Sequence, residues 1–207
     1  MELFTAHSLR LMILEILFIL GAYLVGSISA AIITCKLLGL PDPRTQGSNN
    51  PGATNVLRIG GKKAAAITLV GDMLKGLVPL LIGKFIGLDP TTQAAIGVAA
   101  FLGHLYPIFF GFQGGKGVAT TMGVLVALSW PVGLSVICTW LFIAYGLKIS
   151  SLAALVSILL APVYMYLLES NLHWLYATIF LSALLIWRHR SNIKQLLQGT
   201  ESKIGKP

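Results

Sequence analysis

Val124-Leu125-Val126-Ala127-Leu128-Ser129-Trp130-Pro131-Val132-Gly133-Leu134-Ser135-Val136-Ile137 is apolar on both sides of a proline and a glycine. It lies within a hydrophobic run from Val118 to Ile149. Trp130-Pro131-Val132-Gly133 is expected to end or kink a helix there. That leaves pieces of about 12 and 16 residues, both short against the roughly 20 apolar residues a bilayer crossing needs. Around it, Leu11–Leu38, Ala64–Leu88 and Thr91–Phe110 reach that length, and Ser151–Leu168 and Leu172–Trp187 reach it marginally. Of the 207 residues, 56% are hydrophobic and 11% charged. A soluble domain carries about 25% charged residues and could not bury so much apolar surface. The class is therefore an all-α polytopic membrane protein, with residues 1–207 expected to form a single integral membrane domain. The net charge of +8 does not point to nucleic acid, because the bases sit in short loops between apolar runs. Cys35 and Cys138 lie in apolar segments without a CxxC, and a disulfide is not expected.

Basic residues orient the chain, since cytoplasmic loops collect Lys and Arg. Lys36, Arg44, Arg58, Lys62 and Lys63 surround the loop after the first span, and Arg188, Arg190, Lys194, Lys203 and Lys206 fill the C-terminal tail against Glu201. The opposite turns carry Asp89 and Glu169 and no base. The N-terminus is then outside and the C-terminus cytoplasmic. With three spans before Gly111 and two after Ser151, the broken run must cross twice or not at all. Seven transmembrane helices, two of them short, is the preferred count, and five spans with a re-entrant pair is the alternative. Leu11–Val25 with Ser27-Ile28-Ser29 has the outline of a signal peptide, but the apolar run continues to Leu38, which suits an uncleaved span.

This orientation puts four unusual stretches on one face. Gln46-Gly47-Ser48-Asn49-Asn50-Pro51-Gly52-Ala53-Thr54-Asn55-Val56-Leu57-Arg58 can turn backbone N–H groups and the Ser48 and Thr54 hydroxyls toward an anion, and Arg58 can grip a phosphate with two parallel bonds. Gly114-Gly115-Lys116-Gly117 places a lysine among glycines at a helix start, another anion site. It is no Walker A loop, because Gly117 stands where the metal-binding hydroxyl would be. Lys148-Ile149-Ser150-Ser151 and Trp187-Arg188-His189-Arg190-Ser191-Asn192-Ile193-Lys194 complete the set, with His189 and Asn192 three apart on one helical face. Each also has a plainer reading: a Gly/Asn/Pro turn, a positive-inside lysine, a helix N-cap and a basic tail against lipid headgroups. His104 reads as a helix-end residue, and Asp72 and Lys75 as an ion pair facing the bundle interior. The four stretches hold no carboxylate, and no His/Cys set has zinc spacing.

Ser48-Asn49-Asn50-Pro51-Gly52-Ala53-Thr54-Asn55 with Arg58, Gly114 to Thr120, and His189-Arg190-Ser191-Asn192-Ile193 resemble the three signature motifs of the bacterial acyl-phosphate:glycerol-3-phosphate acyltransferases, over essentially the whole chain. That family usually carries Gly where Asn49 stands and Pro where Ser29 stands. The resemblance implies transfer of a fatty acyl group from acyl phosphate to the 1-hydroxyl of glycerol 3-phosphate, giving lysophosphatidic acid and phosphate, the first acylation of phospholipid synthesis. It implies seven spans in the bacterial cytoplasmic (inner) membrane with the motifs facing the cytoplasm, and no cofactor or metal. Residue by residue, it places Lys116, Ser151, His189 and Asn192 as the catalytic set around glycerol 3-phosphate, with help from glycine N–H groups such as that of Gly115. It places Ser48, Asn50, Gly52, Ala53, Thr54 and Arg58 on the acyl-phosphate head. The expected partners are the two substrates, membrane lipid and the enzyme that makes acyl phosphate, with no nucleic acid. A phosphate-ester transporter and a non-catalytic membrane subunit are the rival classes; a transporter would normally show an inverted internal repeat, and none is visible.

Overall fold

A computed structural model describes the backbone of residues 2–204 and the side chains of 9–204. Its elements in chain order are α1 (Glu2–Gly26), α2 (Ala30–Leu37), α3 (Ala53–Phe85), α4 (Pro90–Leu105), a 3₁₀ turn (Ile108–Phe110), α5 (Val118–Leu128), α6 (Trp130–Leu147), α7 (Ser150–Leu168), α8 (Leu172–Arg188) and α9 (Arg190–Leu197). Among the described residues, five helices are long and apolar enough to cross a membrane, the first over Leu9–Gly26, and α5 and α8 are shorter apolar helices. The outer surface is itself apolar: Phe85, Phe142, Tyr145 and Leu167 are among the large side chains left exposed. The core lies between α4, α5, α7 and α8 and contains Phe101, Leu105, Leu125, Ile158, Met165 and Leu181.

The expected first span, Leu11–Leu38, is broken. α1 stops at Gly26, and α2 starts after Ser29, whose hydroxyl accepts a bond from Ile32 N–H at 3.4 Å. Serine at this position therefore serves as an N-cap. The carbonyl of Ile28, freed by the break, accepts a bond from Lys75 Nζ at 2.9 Å. α2 then runs along α3, with Ala30 against Gly71 and Leu40 against Gly60.

The break expected at Trp130–Gly133 is present, placed at Ser129. Pro131 lies in the first turn of α6, where its missing N–H is not needed, and Ser129 caps that turn through Val132 N–H. The proline thus starts a helix of 18 residues, long enough to cross, instead of leaving two short pieces. α5, at 11 residues, stays short. Its final carbonyls, on Ala127 and Leu128, accept bonds from Lys84 Nζ at 3.0 and 2.9 Å, and Lys84 also lies 4.8 Å from the centre of the Trp174 ring. A base near the turn that carries Asp89 is thus engaged in capping. Asp89 itself caps α4: one carboxylate oxygen accepts from Thr91 N–H at 2.8 Å and the other from the Thr92 hydroxyl at 2.6 Å, which together hold its pKa down to about 2. Cys35 and Cys138 are free thiols.

Where helices cross, glycine lets backbones touch. A Cβ on Gly103 would strike the Tyr23 carbonyl and Gly26, and one on Gly26 would strike the backbone of Ala100; Gly76 and Gly123 make the same kind of approach between α3 and α5. Helices without a hydrophobic drive between them associate through such small-residue contacts. Gly103→Ala is therefore expected to lose about 1–3 kcal/mol through overpacking against rigid backbone. Gly21→Ala, where nothing lies within 4 Å, should be neutral or slightly stabilising. Thermal unfolding in detergent checks the pair; equal melting temperatures would refute the packing account.

Candidate active site

The first motif is organised by one buried side chain. Asn55 accepts a bond from Ser48 N–H at 2.9 Å through Oδ1, and its Nδ2 donates to the carbonyls of Pro43 and Gln46 at 2.8 and 2.9 Å. A single amide thus folds the loop of residues 43–48 back over the start of α3. Asn49 takes φ 54°, the left-handed conformation that asparagine tolerates better than most residues, so the exchange for glycine keeps the turn. The helix begins inside the motif, at Ala53, so Thr54 and Arg58 are helical and not part of the loop. Gly52 has no side chain with which to cap α3, so the N–H end of its first segment, which runs only to the non-helical Gly61 (φ 75°), is open to an anion. Ser48 is exposed and Asn50 partly so, in the loop just before this end.

The second motif is held from both sides. Gly115 N–H donates to the His104 carbonyl at 3.2 Å, and Arg188 donates to the carbonyls of Gly114 and Gly115 at 3.2 and 3.1 Å. Lys116 is thereby pointed at the tail, and its Nζ donates to Asn192 Oδ1. The two loops also meet: a Cβ on Gly115 would approach the Pro51 carbonyl, and Arg44, paired with Asp42 at 2.7 Å, donates to the Phe110 carbonyl at 3.2 Å.

The third and fourth stretches close the cluster through a residue the sequence did not single out. Glu201 accepts from Ser151 Oγ at 2.7 Å and from Asn192 Nδ2 at 2.9 Å, while the next residue, Ser202, accepts from Arg58 at 2.6 Å. Ile204 N–H donates to the Lys148 carbonyl at 2.7 Å, so the tail is laced across the site. The four stretches do lack a carboxylate, but the chain beyond them folds back and supplies one. The only sequence hint was an acid in an otherwise basic tail. Arg188 was likewise read as part of a basic tail and is instead a loop anchor.

The electrostatics follow from this crowding. Burial pulls the Lys116 ammonium below its usual range, the Glu201 charge opposes this, and Arg188 and Arg58 add to the fall. Three cations thus face one carboxylate, an arrangement that an anionic ligand relieves. His189 is buried, and its Nδ1 lies 2.8 Å from the Leu185 carbonyl. A carbonyl cannot donate, so Nδ1 carries the proton and Nε2 keeps a lone pair. Burial, the leading cause, pushes the His189 pKa down to about 4, so the ring is neutral at physiological pH. Arg190 points elsewhere, stacked 4.7 Å from the centre of the Trp187 ring. The structure thus gathers Arg58, Lys116, Ser151, His189 and Asn192 at one end of the bundle, with Ser48, Asn50, Gly52, Ala53 and Thr54 in the adjoining loop and helix start.

Residues 16–199 match the family described as glycerol-3-phosphate acyltransferase. Curated relatives of that name include one from Thioalkalivibrio sulfidiphilus, 57% identical over 194 residues that span 94% of this chain and 96% of the relative. Another, from Ruthia magnifica, is 58% identical over 196 residues, 93% of this chain and all of the relative. The crystal structure of PlsY (YgiH), an integral membrane glycerol 3-phosphate acyltransferase, in its glycerol 3-phosphate form is 41% identical and superposes with a TM-score of 0.88 over 92% of this chain and 96% of PlsY. The lysophosphatidic acid form of the same enzyme gives 0.85 at 40% identity, over 91% and 94% of the two chains. By both measures this chain belongs to the glycerol-3-phosphate acyltransferase family.

Proposed function

We propose that this chain transfers a fatty acyl group from acyl phosphate to the 1-hydroxyl of glycerol 3-phosphate, releasing lysophosphatidic acid and inorganic phosphate. The observation that carries the reading is the adjacency of two anion-binding elements. One is the open N-terminus of α3 with Arg58, and the other is Lys116 with Ser151, Asn192 and the glycine loop. Two phosphorylated substrates need two such positions side by side. Lys116, Ser151 and Asn192 hold glycerol 3-phosphate beside His189, with Glu201 orienting the last two of the three. The segment from Ser48 to Thr54, with Arg58, holds the donor's phosphate. The site faces the cytoplasm of a bacterial inner membrane, the chain crosses seven times with its N-terminus outside, and the enzyme that makes acyl phosphate delivers the donor from that side.

The chemistry asks little of the protein beyond alignment and charge screening, because an acyl phosphate is already an activated anhydride. The 1-hydroxyl oxygen attacks the acyl carbon and forms the ester bond. The bond from that carbon to the phosphate oxygen breaks, and the hydroxyl proton leaves with the phosphate. The hydroxyl's one proton therefore points at the donor's phosphate oxygen, and the neutral His189 ring offers Nε2 as an acceptor to the neighbouring hydroxyl of glycerol 3-phosphate, which orients the molecule.

Turnover should proceed with acyl phosphate in excess EDTA and be much slower with acyl-CoA or acyl carrier protein as donor. Measuring lysophosphatidic acid formation with each donor tests this, and activity that requires Mg²⁺ or prefers a thioester would refute it. Lys116→Ala should lower kcat/KM for glycerol 3-phosphate by roughly tenfold to 150-fold, the effect of losing one charge-assisted contact. Lys116→Arg should rescue it poorly, since the flanking glycines fill tight space. Initial rates with thermal unfolding as a folding control decide, and a normal rate in the alanine variant removes Lys116 from the site. Arg58→Lys should be damaging, because a bidentate fork has no lysine equivalent. Arg190→Lys should be mild, because that side chain lies on Trp187. Equal losses of kcat/KM in the two variants would refute the distinction.

A further inference from the structure

One buried group of charged side chains plays no part in the reaction just described. Asp72 and Lys75, one turn apart on α3, form an ion pair of 2.8 Å in the bundle interior. Lys75 also donates to the Ile28 carbonyl at the break between α1 and α2, and the Thr120 hydroxyl donates to the Asp72 carbonyl at 2.9 Å. The same Asp72 oxygen that meets Lys75 faces His104 Nδ1 at 3.6 Å. His104 is buried at the end of α4. Its backbone carbonyl receives Gly115 N–H, and a Cβ on Gly115 would collide with its Nε2 on one side and approach the Pro51 carbonyl on the other.

The ring therefore sits where the first and second motif loops meet, with a carboxylate behind it. Stability alone gives little reason for this arrangement. A buried ion pair can often be replaced by apolar side chains of similar volume at no loss, so stability alone does not account for it. The arrangement links the α1–α2 break, which leads into the first loop, to the glycine loop. We propose that His104, with the Asp72–Lys75 pair lying behind its ring, is a positioning residue that sets the spacing between the donor-binding and acceptor-binding loops. The inference rests on the acyl-transfer reading above and adds a residue that touches neither substrate. Because it aligns two sites and builds neither, its loss should lower kcat and leave both KM values nearly unchanged.

The test uses purified full-length protein, with acyl phosphate and glycerol 3-phosphate each varied at saturating levels of the other. His104→Gln keeps the volume and removes the ring. Asp72→Asn/Lys75→Met removes the carboxylate without stranding a buried charge, which keeps the test available if a single charge removal unfolds the chain. Thermal unfolding accompanies each variant. Both variants are expected to lose at least about tenfold in kcat with KM values within roughly threefold of the parent, and their combination should lose no more than the worse of the two, as residues acting as a unit do. Parent turnover with acyl phosphate tests the functional reading separately. If the parent is active, variants that match its kcat overturn the positioning role. So does a rise in KM for glycerol 3-phosphate alone, which would make His104 a binding residue, or losses that multiply in the combination.

Discussion

A peptide group in hydrocarbon must find its partner within its own helix or at a helix end, and the rest of this structure is arranged around that constraint. Several interruptions are visibly covered. The carbonyl left open between α1 and α2 takes Lys75, the last carbonyls of the short α5 take Lys84, and Asp89 and Ser129 cap the starts of α4 and α6. Irregular backbone that is not covered this way collects at one end, where 38–52, 106–117 and 198–204 lie together. A phosphate-binding site needs free N–H groups, and this is the end of the bundle that can present them.

Among the site cations, positive charge is held in check by Glu201. Glu201 reaches Ser151 and Asn192 directly and Lys116 through its field, while Ser202 holds Arg58. Without the tail, Arg58, Lys116 and Arg188 would face one another with no opposing carboxylate. With it, their side chains are fixed in direction before a substrate arrives, so less ordering is left for binding to do. His189 shows the complementary device: burial keeps it neutral, and one backbone carbonyl sets which nitrogen is free.

Much of this was legible along the chain. The apolar lengths placed α7 and α8 to within one residue and α4 to within five, because bilayer thickness and helical rise leave little freedom, whereas α3 starts at Ala53, well before the expected Ala64, with a first segment that ends at the non-helical Gly61. The motif residues Arg58, Lys116, Ser151, His189 and Asn192 were identifiable because cations, hydroxyls and glycines stand out against hydrocarbon. Local rules were less reliable where a residue has two uses. Pro131 reads as a helix breaker and is a helix starter, since its effect depends on whether Ser129 caps the turn before it. The run from Leu11 to Leu38 reads as one helix, since nothing within it reveals that Lys75 satisfies a carbonyl at its middle.

By itself the sequence determined the membrane class, the all-helical fold, and which residue types could meet an anion, because hydropathy and glycine content act locally. The tertiary structure alone decided how those residues meet. Asn55 ties its loop across nine residues, Arg188 anchors a loop 74 residues before it, and Arg58 finds Ser202 across 144. Glu201 has no sequence signature as a site residue, and its role arises where four helix ends converge. Contacts between such distant positions depend on which helices pack side by side, and that is set by glycine-to-backbone approaches such as Gly103 on Tyr23, a property of the assembled bundle and not of any one segment.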